Sequence, residues 1–241
     1  MKNNKKNFYI LTISKNDPSG LLKTIKSVDN FKTDFKLIHL IKIFSPEQEF
    51  IENYESLNLK RIIINSDDSG IYNSMNKILS LVPLDVYSIF LNSGDTIKGN
   101  LKSKNIKSDH DFFLVDTYKK NYKKKNLIKI KTTYYDGMPF SHQSLIFRKK
   151  SGMYFDENYK ICGDYEFALK WVKKKYKSPL NIYKINTLKT IFDINGISSK
   201  RKYQRDIEGY KVVLKNCGIL KSLVYLTNRT KRYTKLFFGL K

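Results

Sequence analysis

The chain has 241 residues, enough for one large domain or two small ones and for a core that needs no staples. Lys and Arg number 46 against 22 Asp and Glu, a net charge of +24 that favours anionic partners: phosphorylated substrates, an acidic membrane surface or nucleic acid. A 41% hydrophobic content excludes a disordered chain, and two isolated cysteines, Cys162 and Cys217, exclude a disulfide framework or a cysteine metal site and point to a reducing cytoplasm.

The basic start, residues 1–7, runs into an apolar stretch too short for a signal-peptide core, and no run reaches the length needed to span a bilayer. The expected location is therefore cytoplasmic, with room for a peripheral place on the inner face of the membrane. Residues 8–14 read as a buried strand. Pro18 stands where a helix would begin, and Leu21, Leu22, Ile25 and Val28 recur at helical spacing. Residues 37–44 give a second strand, 47–57 a helix with acidic residues in its first turn, and 61–64 a third strand. Ile71, Met75, Ile78, Leu79 and Val82 share one helical face, and 86–91 is a fourth strand. Alternation of this kind implies βαβ units and a mostly parallel sheet flanked by helices.

The second half is less regular. Residues 112–118 and 128–133 read as strands around the lysine-rich 119–125, a hairpin end or loop. Residues 143–148 read as a strand, 164–175 as a helix, 182–192 as extended, and 201–216 and 219–240 as helices, the last one basic and aromatic. No repeat and no Pro/Gly/Ser linker appears. The expected organisation is one α/β domain over 1–200 and a basic helical extension over 201–241, packed on it or facing a membrane.

Four elements could carry chemistry. Thr12-Ile13-Ser14 closes the first strand, where open α/β sheets bind ligands and small hydroxyl residues would not crowd a nucleotide. Asp67 and Asp68 close the third strand, before Gly70 and a helix that carries Asn76; carboxylates there could meet ribose hydroxyls or a base edge. Asn92-Ser93-Gly94-Asp95 closes the fourth strand, where a carboxylate beside glycine could hold a divalent cation on a diphosphate. His142-Gln143, followed by Asp164 and Glu166 at the start of a helix, offers an ionised carboxylate that could act as a general base. Each has a plainer alternative. Asp17, Asp68, Ser69 or Asp164 could cap a helix, Asn92–Asp95 could be an ordinary turn, and His142 could be structural.

In this order the four elements resemble the family-2 glycosyltransferases of the GT-A fold, a Rossmann-like arrangement, and among them small bacterial enzymes of polysaccharide and lipid-linked oligosaccharide synthesis. The resemblance spans about residues 8–216. It is carried by Asp68-x-Gly70-Ile71-Tyr72-Asn73-x-Met75-Asn76-Lys77, by Leu91-Asn92-Ser93-Gly94-Asp95, by Met138-Pro139-Phe140-Ser141-His142-Gln143 with Asp164-Tyr165, and by Asn195-Gly196-Ile197-Ser198. It implies an inverting hexosyltransferase-like enzyme that uses a nucleoside-diphosphate sugar, a UDP-sugar foremost, with Mg²⁺ or Mn²⁺ and a glycan or lipid-linked acceptor in surface polysaccharide synthesis. By position it makes Asp95 the metal ligand and Asp164 the base. Thr12, Ser14, Asp67, Asp68, Asn76, Ser93 and Gly94 become donor contacts, and His142, Gln143 and Glu166 acceptor-side residues. Two positions depart from the pattern. The second strand ends in Lys42-Ile43-Phe44-Ser45-Pro46-Glu47 without the usual base-reading Asp, and the metal motif starts with Ser93 rather than Asp.

Two other classes compete. A basic binding module on a degenerate scaffold would use the aromatic and cationic tail: Tyr203, Tyr210, Tyr225, Tyr233, Phe237 and Phe238 among lysines suit an interfacial helix on anionic lipid or single-stranded nucleic acid. The membrane is favoured, and no nucleic-acid partner is expected, since no such motif appears. A nucleotidyltransferase would carry a glycine-rich basic phosphate loop after the first strand, which Lys15–Gly20 does not supply.

Overall fold

A computed structural model describes residues 6–43, 60–67, 69–121, 124–193 and 201–238. The predicted helix at 47–57, Glu47, Asp68 and the segment Asn195–Ser198 lie outside them. The chain divides into two compact units. Unit 1 is Met1–Ile128, Ser141–Tyr154 and Ile182–Ile194, and unit 2 is Lys129–Phe140, Phe155–Asn181 and Asn195–Lys241.

Unit 1 is a ten-stranded mixed sheet with helices. Strands β1 (Asn7–Ile13), β2 (Lys32–Thr33), β3 (Lys36–Ile43), β4 (Lys60–Asn65), β5 (Tyr87–Phe90), β6 (Thr96–Leu101), β7 (Phe112–Asn121), β8 (Lys124–Leu127), β9 (Leu145–Arg148) and β10 (Tyr183–Asp193) are ordered β2-β6-β10-β7-β9-β5-β1-β3-β4, with β8 hairpinned on β7. The run β4-β3-β1-β5 is parallel, as the strand–helix alternation predicts. Strand β9 pairs antiparallel to both β5 and β7 and joins that half to the mixed half.

Strands β1 and β5 and most of β3 read as apolar runs because they are buried between layers. Phe8, Ile10 and Leu11 of β1 are wholly inaccessible, as are Ile41 and Ile43 of β3. Helix α1 (Pro18–Asp29) turns Leu21, Thr24, Ile25 and Val28 inward, and Leu21 and Ile25 close on Ile41 and Ile43. Burial of each such side chain contributes about 1.5–3 kcal/mol. Asp17 is the N-cap of α1, with its carboxylate accepting the Gly20 amide at 3.0 Å. Helix α2 (Ile71–Ser80) buries Tyr72, Met75, Ile78 and Leu79. Its cap is Gly70, at φ +141, with no side-chain cap bond, so the alternative of a cap by Ser69 does not hold.

Several boundaries differ from expectation. Residues 128–133 are not a strand. The hairpin partner of β7 is β8, through the lysine-rich stretch itself, and the chain then leaves the sheet with the Lys131 amide on the Pro139 carbonyl. A 3-10 turn, His142–Ser144, replaces the start of the strand expected at 143–148. Strands β2 and β6 had no periodic signal, since β2 has two residues and β6 exposes its middle.

Unit 2 contains helix α3 (Gly163–Phe167), which continues through a π-helical turn at Ala168–Val172 to Lys173–Lys175. Helices α4 (Lys202–Cys217) and α5 (Ile219–Phe237) fold back on each other around Gly218. No helix among the described residues is long and apolar enough to cross a membrane.

Candidate functional site

The turn after β5 is wired to the core of unit 1. Beyond the end of β5, the Leu91 amide still bonds to Leu11 and the Ser93 amide to Ile13, so the turn stays registered on β1. The Thr24 hydroxyl of α1 donates to the Asp95 carbonyl at 2.7 Å. Asp95 Oδ2 accepts the Asn92 amide at 3.2 Å and the Gln143 side-chain amide at 3.0 Å. Asp95 is only 5% exposed. Burial raises its pKa to about 6, opposed by His142, by these two hydrogen bonds and by Lys23. Oδ1 has no hydrogen-bond partner among the described residues and is not sealed from solvent, so it is the oxygen open to a ligand.

His142 and Gln143 reach this turn from the 3-10 turn before β9. The His142 Nε2 lies 3.2 Å from the Asn92 side-chain amide nitrogen. Gln143 is clamped from behind by the Ser141 hydroxyl, which donates to its carbonyl oxygen. The motif's odd residue, Ser93, donates to Asp17 Oδ2 at 2.8 Å. The serine thus ties the turn to the cap of α1, and Asp17, read from sequence only as a cap, also borders the turn. A β-carbon on Gly94 would stand 3.9 Å from Asp17 Oδ2. So Asn92, Ser93, Gly94, Asp95, His142 and Gln143 come together in unit 1, whereas the sequence grouped His142 and Gln143 with Asp164 and Glu166.

The other expected donor contacts sit differently. Thr12 is fully buried, its hydroxyl 2.9 Å from His39 Nε2 within the sheet, rather than open at the strand's end. Burial and Arg61 hold His39 neutral, its pKa lowered to about 3. Ser14 is 7% exposed and its amide continues the β1–β3 ladder to Lys42. Asp67 is exposed, and its carbonyl accepts the Lys77 ammonium of α2, on which Asn76 is half-buried. The charged end of β3, where an Asp was expected and a lysine stands, folds inward: Lys42 is buried and donates to the Ser66 carbonyl at 2.8 Å.

In unit 2, Asp164 lies in the first turn of α3, half-buried. Cys162 takes the N-cap place, which was the plainer alternative role for Asp164. The Asp164 carboxylate accepts the Tyr165 amide at 2.8 Å. Glu166 is not open to an acceptor. It is fully buried and its carboxylate lies 3.2 Å from the Lys215 ammonium, which also binds Asp156 at 2.9 Å. A residue that sequence reasoning missed sets the approach to α3: the Glu208 carboxylate of α4 accepts the amides of Lys160, Ile161 and Cys162 at 2.8–3.2 Å. Nothing local in the sequence signals this, since the partners are more than forty positions away.

No group of three or more His, Cys, Asp or Glu side chains able to hold a metal occurs among the described residues. The one open oxygen of Asp95 nonetheless suits Mg²⁺ or Mn²⁺ of the kind that takes one or two protein carboxylates and fills its shell from diphosphate and water. A separate cavity of about 300 Å³ lies at the opposite, amino-terminal edge of β1 and β5, between Tyr87, Phe35 and Arg148.

No family model and no curated protein matches the chain. Solved structures do. TarS from S. aureus superposes with a TM-score of 0.61 and 17% identity over 92% of this chain and 43% of TarS, so the chain spans less than half of that relative. TarS 1–349 in complex with UDP-GlcNAc superposes at 0.62 with 17% identity, covering 98% of this chain and 76% of that one. The mannosyltransferase PcManGT from Pyrobaculum calidifontis, in complex with GDP-Man and Mn²⁺, superposes at 0.60 with 8% identity, covering 94% and 70%. These likenesses define the fold class: an α/β, Rossmann-like fold of the GT-A glycosyltransferase type.

Proposed function

We propose that the protein is a nucleotide-sugar-dependent glycosyltransferase that inverts configuration at the transferred sugar, with a glycan or lipid-linked hydroxyl as acceptor. The observation that carries this reading is Asp95. A buried carboxylate stands past the end of a parallel strand with one oxygen tied to Asn92 and Gln143 and the other open. In open α/β sheets this edge is where ligands bind. The relatives of the same fold that hold UDP-GlcNAc or GDP-Man support the choice of ligand class.

In this reading, unit 1 holds the donor. The turn Asn92–Asp95 and His142 face its diphosphate, and Asp67 and Asn76 line the nucleotide end. Asp95 would hold a divalent cation, which would supply Lewis-acid neutralisation of the leaving diphosphate. Thr12 and Ser14 shape the floor through the sheet rather than by direct contact. Asp164 accepts the acceptor hydroxyl's proton as the oxygen attacks the anomeric carbon, and the nucleoside diphosphate departs from the opposite face of the sugar. A positioned carboxylate base contributes about 10²–10⁴-fold. Asp164→Asn should therefore cut transfer from UDP-GlcNAc or GDP-Man to acceptor by about 10²–10⁴-fold while donor binding persists. Near-wild-type transfer by that variant would remove Asp164 from the mechanism.

The extension is read as the membrane-facing element. Ile219, Leu220, Leu223 and Val224 form an apolar row on the outer face of α5, Leu220 being 79% exposed, and basic residues flank it. An apolar stripe beside lysines suits an anionic lipid surface, where a lipid-linked acceptor would reside. Flotation with phosphatidylglycerol vesicles that is unaffected by Leu220→Glu with Leu223→Glu would contradict this placement.

A further inference from the structure

Unit 2 contains a second polar cluster that no sequence motif marked. The Lys131 ammonium and Arg229 Nη2 both donate to one backbone carbonyl, that of Asp136, with Arg229 at 3.2 Å. The next residue makes the convergence possible. Gly137 adopts φ +82, and a β-carbon there would stand 2.3 Å from Arg229 Nη2 and 3.1 Å from Lys131 Nζ. Any side chain at 137 would push the two cations off their shared oxygen.

More positive charge stands close by. Asp206 gathers Arg232 at 2.9 Å, Arg205 at 3.5 Å and Arg229 Nε at 3.6 Å, and accepts the Tyr233 hydroxyl. Four cations thus face two carboxylates, Asp206 and Asp136, and Asp136 also accepts the Asn228 amide at 3.3 Å. Arg229 Nε is buried without a hydrogen bond, and the guanidinium stacks on the Tyr225 ring. Burial above all lowers the pKa of Lys131 to about 8; Asp136 opposes the shift, and Arg229, Arg232 and Arg205 add smaller contributions to it.

The cluster adjoins the start of α3. The thiol of Cys162, the cap residue of the helix that carries Asp164, donates to the Arg205 carbonyl at 3.3 Å. We propose that the cluster is an anion site that takes a phosphate group of the acceptor, with Lys131, Arg229 and Arg232 as its donors. Guanidinium groups match phosphate oxygens in pairs, and a lysine adds a point charge. A phosphate there would add a third anionic partner to four cations that share two carboxylates. The proposal rests on the reading of Asp164 as the acceptor-side base and extends it: the acceptor is anionic. The phosphate could belong to a soluble phosphorylated glycan or to a lipid carrier, since both present the same oxygens.

The test is a titration of the full chain with phenyl phosphate at saturating UDP and Mn²⁺, alongside sedimentation with phosphatidylcholine vesicles that carry phosphatidic acid. Lys131→Gln should weaken phenyl phosphate binding by about tenfold or more, and Arg232→Gln, at a partly exposed site, should weaken it by a smaller factor. Circular dichroism checks that each variant folds, and Arg232→Gln carries the test if Lys131→Gln does not. Sedimentation that Lys131→Gln abolishes assigns the phosphate to a lipid. Phenyl phosphate binding without sedimentation assigns it to a soluble acceptor. Wild-type affinity in both variants, or no binding once UDP occupies the donor site, overturns the proposal. The wild-type titration with UDP and Mn²⁺ reports separately on the glycosyltransferase reading: if UDP binds and phenyl phosphate does not, the anion site alone fails.

Discussion

Two carboxylates, Asp95 and Asp164, sit in different units and are held by different means. Asp95 is fixed in part by its own turn, through Asn92 three positions back, and in part by α1, β1 and the turn before β9: the Thr24 hydroxyl, the β1 carbonyls that hold Leu91 and Ser93, and the Gln143 amide. Asp164 stands in the first turn of α3, and the approach to that helix is set by distant partners, with Glu208 on the amides before it and Lys215 clamping Asp156 and Glu166 beside it. The first centres on a motif of consecutive residues, Asn92–Asp95, that side chains of unit 1 complete. The second is a charge network that exists only once α4 has folded back. This difference decides which residues a sequence reveals and which variants should cost activity rather than stability.

The largest expected effect lies on the motif side. Asp95→Asn keeps the size and part of the hydrogen bonding but removes the charge, so transfer should fall by about 10²–10³-fold, the usual scale for removing a charge-stabilising group. Its melting temperature should hold or rise, because a desolvated carboxylate is gone. A lost fold with retained specific activity would reverse the comparison. On the network side, Glu208→Ala strands three backbone amides and should cost about 3 kcal/mol in urea unfolding, given 1.5–3 kcal/mol for a hydrogen bond to a charged group. Glu208→Gln, which retains an acceptor oxygen, should cost about half as much.

Much of the fold was readable. The parallel half announced itself through buried apolar runs and helical spacing, because sheets covered on both faces leave no polar alternation. Strands β2 and β6 were not readable, since two residues and an exposed centre leave no period. Residues 128–133 look like a strand by β-branched content, but the Lys131 amide finds its partner on Pro139 rather than in the sheet. At the site, the Asn92–Asp95 turn stands where its motif was read, but the meeting of His142 and Gln143 with it was not readable, since it spans about fifty positions. Glu166 could not be read, because its burial depends on Lys215, and neither could Asp17 as a partner of Ser93, a contact that spans 76 positions.

Acidity sharpens the comparison further. Asp95 binds its proton more tightly folded than unfolded, with a pKa near 6 against the ordinary 3.8. Between those values the folded state therefore holds more protons, and stability falls as pH rises through that window and levels off above it. Across it the wild type should lose up to roughly 3 kcal/mol relative to Asp95→Asn. Divalent-cation and donor affinity should run the other way and weaken below about pH 6, where the proton competes; parallel profiles in the two proteins would contradict the assignment. The smallest effect belongs to Ser93→Ala, which loses one hydroxyl bond to Asp17 and should cost about 1 kcal/mol with little change in metal dependence. A collapse of Mn²⁺ affinity in that variant would make the serine a ligand after all.

The central claim is that the open oxygen of Asp95 serves a nucleoside-diphosphate sugar. Its most direct test is a thermal-shift panel of UDP- and GDP-sugars, with and without Mn²⁺, on the wild type and Asp95→Asn. Saturation at about a hundred times the dissociation constant should stabilise the wild type by about 2.7 kcal/mol. The account predicts that at least one donor does so only with Mn²⁺, and that Asp95→Asn loses the effect. No stabilisation by any donor, or the same stabilisation in Asp95→Asn, would contradict it.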